Sequence, residues 1–181
     1  MCTGKYKYEL YVRLMTGESL LVELQYGITG GYYYPNKERG TPIFDEDKFY
    51  SKCKDLASKI KIRFKILDKL GSRSYYAVKF IYKHENIYVM CNMSQPIIAF
   101  CSYESFDATD NDCVFHWDKF LDIEELTKEF ESEYKVLSVH ELNSSFILEE
   151  HEELKNVQSV IEQVEYYNPK TIGEAIFNYW D

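Results

Sequence analysis

The sequence predicts an α+β fold: an antiparallel sheet meander packed with helices, in a single domain over residues 1–181. Three observations carry that expectation. Residues 59–66, Lys-Ile-Lys-Ile-Arg-Phe-Lys-Ile, alternate strictly, and period two marks a strand with one apolar face. Phe49, Cys53, Leu56 and Ala57 follow helical spacing instead, as do Ile123, Leu126 and Phe130. At 181 residues and 45% hydrophobic, the chain can bury one core, and no repeat or long linker divides it.

The elements follow in order. Tyr6, Tyr8, Leu10, Val12 and Leu14 share a face, Thr16-Gly17 marks a turn, and Leu20 to Tyr26 returns as the second arm of a hairpin. Gly27 to Gly40 is rich in Gly, Pro and Asn and reads as a flexible loop. Asp45 is the expected N-cap of the first helix. After the strand at Lys59 to Ile66 and a turn at Gly71-Ser72, Ser74 to Lys83 forms another strand. His84-Glu85-Asn86 connects it to Ile87 to Met93, and Pro96 to Tyr103 supplies one more. A helix is expected over Asp122 to Glu133, and a strand over Tyr134 to Val139. From Leu148 the chain turns helical again, with Leu154, Val157, Val160, Ile161 and Val164 as its stripe, until Asn168-Pro169 breaks it. Thr171 and Glu174 form a capping box for a last short helix with Ile172, Ala175, Ile176 and Tyr179 inward.

Several function classes are set aside. No stretch approaches the ~18 apolar residues of a membrane span. The first residues lack the apolar core of a secretory signal, so the expected location is cytoplasmic and no membrane partner is expected. The five cysteines are odd in number and contain no Cys-x-x-Cys pair, which fits reduced thiols and argues against zinc. His84, His116, His140 and His151 sit in no recognisable catalytic context, so the chain is not expected to be an enzyme. Asp107, Asp110 and Asp112 do not meet the EF-hand spacing, because position six is Asp112 rather than Gly and position twelve is Asp118 rather than Glu. His151 within Glu149-Glu150-His151-Glu152-Glu153 reads as a solvated acidic helix start rather than a cation site. Gly27-Ile28-Thr29-Gly30-Gly31 lacks the Lys of a phosphate loop. No metal and no cofactor are expected.

Charge is divided unevenly. Residues 1–91 carry sixteen Lys/Arg against ten Asp/Glu, and residues 92–181 carry five against twenty. Eleven Lys/Arg and two acids lie between Lys48 and Lys83. Lys59, Lys61, Arg63 and Lys65 would project from one strand face beside Lys79 and Lys83, with Tyr75, Tyr76 and Tyr82 as stacking platforms. That is the alternative reading, a single-stranded nucleic-acid binder with a basic, Tyr-bearing sheet face. The net charge of −9 argues against it and favours internal pairing of the basic face with acidic helices of the second half. The acidic half and the seventeen tyrosines suit a surface that holds a basic protein.

The closing segment Asn168-Pro169-Lys170-Thr171-Ile172-Gly173-Glu174-Ala175-Ile176-Phe177-Asn178-Tyr179-Trp180-Asp181 resembles the C-terminal end of certain bacterial immunity proteins of contact-dependent inhibition and other polymorphic toxin systems. Small size, acidity, aromatic excess and the lack of a catalytic motif are shared. The resemblance implies a cytoplasmic antidote that binds one cognate toxin domain, often a basic nuclease, and occludes it. Such proteins have no universal binding residues, so none is carried over by position. Charge and expected exposure select the contacts instead: Asp107, Asp110 and Asp112, Glu149, Glu150, Glu152 and Glu153, and Tyr32, Tyr33 and Tyr34.

Overall fold

The computed structural model describes residues 22–30, 43–67, 73–102 and 119–180. The first arm of the expected hairpin, the tyrosines at 32–34 and the aspartates at 107–112 lie outside them. Helix α1 (Glu46–Lys59) leads into strands β1 (Arg63–Ile66), β2 (Tyr75–Tyr82), β3 (Glu85–Asn92) and β4 (Ile97–Ser102). Strand β5 (Lys119–Leu121), helix α2 (Glu124–Phe130), strand β6 (Lys135–Val136) and helix α3 (Val139–Leu142) follow. A 3-10 turn at Leu148–Glu150, helix α4 (Gln158–Tyr167) and helix α5 (Ile172–Ile176) complete the order.

The fold is α+β, as the sequence predicts. Strands β1 to β5 pair in sequence order, each antiparallel to the next. The far edge of β4 is shared. Its second half, Phe100 to Ser102, pairs with β5, and its first residues, Ile97 and Ile98, pair parallel with β6. The strand expected over Tyr134 to Val139 is therefore only two residues long, because α2 and the Ser138 capping box of α3 close in on both sides.

Each face of the sheet is buried under its own layer. Tyr76, Val78, Phe80, Val89, Ile98 and Phe100 pack with Phe49, Cys53 and Leu56 of α1 and with Leu126 and Phe130 of α2. Tyr75, Ala77, Met90, Ala99 and Cys101 pack on the other side with Val22, Leu24 and Ile28 and with side chains from Leu137 to Phe177. Strands covered on both sides read as apolar runs such as Ile-Ile-Ala-Phe-Cys rather than as clean alternation. Val22 and Leu24 keep an inward alternation, but residues 22–25 form no ladder and the expected strand is absent there. At the start of α5, a methyl on Gly173 would overlap the Phe120 ring, so this helix can lie against β5 only with glycine there.

Two connections depart from expectation for one reason. Helix α1 runs through Lys59, so the strand pattern begins four residues late. Ile62 N–H bonds Ala57 O at 2.9 Å and Lys61 N–H bonds Ser58 O at 3.4 Å, a Schellman closure with Lys61 at φ 56°. The β2–β3 hairpin turns on Lys83 and His84, at φ 48° and 71°, not on His84-Glu85-Asn86. Both φ values are positive, as a type I′ turn requires. Neither site carries the Gly or Asn that normally signals left-handed backbone.

The helix expected from Leu148 starts at Gln158. Before it, the chain makes tight turns that bury His151 and Leu154. Asn168, at φ 50°, terminates α4. The Thr171–Glu174 capping box starts α5 as expected.

A buried polar cluster closes one end of the sheet. Asn92 Nδ2 donates to Ile28 O at 2.8 Å and to Ile176 O at 2.9 Å, and its Oδ1 accepts from Ser94 N. Asn178 Nδ2 donates to Thr29 O at 2.8 Å and to Ala175 O at 2.9 Å. Ser74 Oγ donates to Ile176 O at 2.8 Å and accepts from Asn178 N. Ser94 Oγ donates to Gly27 O at 2.7 Å. The turn at Gly27–Gly30 is thus pinned inside the molecule, contrary to the flexible loop expected of its composition.

Two predictions follow from these contacts. Asn92→Ala leaves Ile28 O and Ile176 O without their amide donor and lowers the unfolding free energy by ~2–4 kcal/mol, read as a lower urea midpoint at unchanged slope. His84→Gly relieves left-handed backbone strain and raises stability by roughly 0.5–1 kcal/mol. A lower midpoint for His84→Gly would show that the turn is not strained.

Candidate partner-binding surface

The second-half carboxylates fall into two groups. Glu125 and Glu129 of α2, and Glu133 just after it, face α1 and the β2–β3 turn, while Glu124 pairs with Lys128 of its own helix. Lys52 Nζ lies 2.7 Å from Glu133 and Lys59 Nζ 2.7 Å from Glu129, while Lys48 approaches Glu133 at 3.9 Å. Lys83 Nζ lies 2.7 Å from Glu125. The hydrogen bond from Lys83 holds the Glu125 carboxyl below its ordinary range, and Lys52 does the same to Glu133. The internal pairing expected of the basic stretch is real for these four lysines. Lys61, Arg63 and Lys65 make no ion pair among the described residues.

The remaining basic face does not present the expected aromatic platforms. Tyr75 and Tyr76 are buried on opposite sides of the sheet. Tyr82 is half-buried with the Lys83 ammonium 4.9 Å above its ring. Bases could not stack on the two buried rings without unfolding the sheet, which removes two of the three platforms the nucleic-acid reading needs.

The second group of carboxylates lies on the C-terminal layer. Phe146 N–H bonds Lys170 O, which anchors the segment. The 3-10 turn and the turns after it point Phe146, His151 and Leu154 inward and leave Glu149, Glu150, Glu152 and Glu153 exposed. His151 is buried and stacked on Phe146, with ring centroids 5.2 Å apart and planes 16° apart. It is a packing residue at the centre of the acidic run, where the sequence suggested a solvated helix start.

The four glutamates are not equivalent. Glu152 pairs with Lys155 at 2.6 Å, and Glu153 accepts a hydrogen bond from Tyr26 N at 3.2 Å. Glu149 and Glu150 make no ion pair among the described residues. Sequence reasoning missed a neighbouring source of charge, helix α4. Glu162 and Glu165 are exposed there, and no Lys or Arg occurs between Lys155 and Lys170. The signal was legible as a gap free of Lys and Arg in an otherwise mixed sequence, on a helix whose apolar stripe is the stronger pattern.

A cleft of about 320 Å³ lies between the β2–β3 turn and Leu121 to Ile123. Two of its polar groups are already engaged: Lys83 holds Glu125, and Asp122 Oδ1 accepts from Val139 N at 2.9 Å. No group of three His, Cys, Asp or Glu among the described residues is placed to hold a metal ion. Among the same residues, no helix is long and apolar enough to cross a membrane.

Burial pushes the His151 pKa below its ordinary value, against a smaller opposing pull from Glu150. A histidine depressed in the folded state binds its proton more readily when unfolded. The stability it supports is therefore complete above pH ~6.5 and is lost as pH falls below that. The midpoint of thermal unfolding should drop between pH ~7 and ~5.5, and His151→Phe, which keeps the ring stack, should flatten that slope. An undiminished slope in the variant would place the titrating group elsewhere.

Compared with known protein families, with curated proteins and with solved structures, the chain finds no match.

Proposed function

We propose that this protein is a cytosolic immunity protein, without catalysis of its own, that binds and occludes a cognate basic toxin domain, most simply a nuclease. One observation carries the reading. The acids of α2 are neutralised by the chain's own lysines, yet Glu149, Glu150, Glu162 and Glu165 remain exposed without ionic partners among the described residues. A solvent-facing, unpaired set of carboxylates on one layer attracts a cationic surface over several ångströms and repels phosphate. Burying a carboxylate against a basic nuclease puts it where the enzyme expects a nucleic-acid phosphate. Occlusion of this kind needs affinity and a long-lived complex, not chemistry. The likeness of residues 168–181 to immunity proteins points the same way.

The test is co-expression with the toxin domain encoded beside this gene, followed by association kinetics on the purified pair. The chain should protect the cell, and the on-rate should fall about tenfold or more between low and moderate salt. Replacing Glu149, Glu150, Glu162 and Glu165 together with Gln should lower the on-rate by a similar factor and change the off-rate much less. An on-rate indifferent to both salt and the four replacements would end the reading.

A further inference from the structure

Helix α4 carries an exposed aromatic that no core requires. Tyr166 is 81% exposed, more than any other large hydrophobic side chain among the described residues. It is nevertheless held in place. Its ring stands edge-on to Tyr167, with centroids 4.8 Å apart and planes at 79°. Tyr167 in turn lies flat on Trp180 at 5.2 Å and 2°. Three rings from the ends of two segments thus stand in continuous contact. A ring ordered before binding loses little freedom when a partner covers it.

Two carboxylates lie near Tyr166, Glu162 four residues earlier on the same row and Glu165 on the row beside Glu162. Gln158, Glu162 and Tyr166 are spaced by four residues, so they line one side of α4. Gln158 Nε2 holds Glu162 Oε1 at 2.9 Å. Glu165 is exposed on the next position before Tyr166. The chemistry combines an electron-rich ring face with two carboxylates and no nearby cation on the helix. Phosphate and acidic peptides are repelled by it. A planar, weakly hydrated guanidinium can lie over the ring and donate hydrogen bonds to a carboxylate at once, which an ammonium does less well.

We infer that the α4 ridge ending at Tyr166 is the docking site for an arginine-bearing segment of a protein partner. The inference rests on the proposal that the partner is basic, and it narrows that proposal to one residue type and one ridge. Tyr166 sets the lifetime of the contact, and Glu162 and Glu165 draw the guanidinium to it.

The probe is a fluorescein-labelled hexa-arginine peptide, followed by anisotropy at low salt, with hexa-lysine and hexa-glutamate beside it. The full chain should bind hexa-arginine more tightly than hexa-lysine and should not bind hexa-glutamate. Tyr166→Phe keeps the ring and should stay within about twofold, whereas Tyr166→Leu keeps apolar area alone and should weaken binding about threefold to fivefold. Glu162→Gln with Glu165→Gln should weaken it further, and Asp55→Asn, at an exposed position of α1, should not. Equal affinity of Tyr166→Leu and wild type, or of the two basic peptides, overturns the inference. So does a concentration-dependent dimer that Tyr166→Leu abolishes, because a second copy would then be the occupant. If hexa-arginine binds as described but no toxin is inhibited, the antidote reading alone fails. If the toxin complex forms equally well with Tyr166→Leu, the docking inference alone fails.

Discussion

Four buried polar side chains, Ser74, Asn92, Ser94 and Asn178, tie three distant pieces of chain to one end of the sheet. The turn at residues 27–30, the entry of β2 and the exit of β3, and the end of α5 all meet there. Each piece brings carbonyls that are cut off from water, and each carbonyl needs a donor. Asparagine amides can serve two at once, and both Asn92 and Asn178 do. The second core, under Val22 to Ile28 and the C-terminal helices, can close only if these carbonyls are satisfied. Satisfied, such a cluster specifies one arrangement; half-satisfied, it would cost more than an apolar plug.

With both sheet faces covered, the charge of the chain is sorted by layer. On one side α1 and α2 pack on the same core, so the lysines of the first helix meet the glutamates of the second. Exposed pairs of this kind contribute little to stability, at most ~1 kcal/mol each. Their consequence is electrostatic: they cancel the charge of four of the eleven basic residues of the stretch along with that of the facing glutamates. On the other side Glu149, Glu150, Glu162 and Glu165 make no ion pair among the described residues. These unpaired, exposed carboxylates are a remainder, set by which layers share a face.

That sorting narrows the expected interface. Glu152 and Glu153 have internal partners, so the acidic run as a block overstates the free charge. His151, within that run, turns inward and braces it against Phe146. Glu149 and Glu150 therefore sit on a braced segment instead of a loose one.

Much of the fold was legible in residue order. Asp45 as an N-cap, the inward stripe of α1, the β2–β3–β4 meander and the Thr171–Glu174 box are local in origin, set by capping chemistry and side-chain periodicity over a few residues. The positions of Lys61 and Lys83-His84 were not legible, because left-handed backbone is normally announced by Gly or Asn and neither is present. Period two at residues 59–66 also misled, since a Schellman closure keeps Ile60 and Ile62 inward just as a strand would. What the sequence by itself determined was the identity of most elements and the excess of negative charge after residue 91. Only the tertiary structure decided which tyrosines are buried, which carboxylates are neutralised and which ring stands exposed on α4. Those outcomes depend on contacts between residues far apart in the chain, and neither periodicity nor composition encodes which partners will meet.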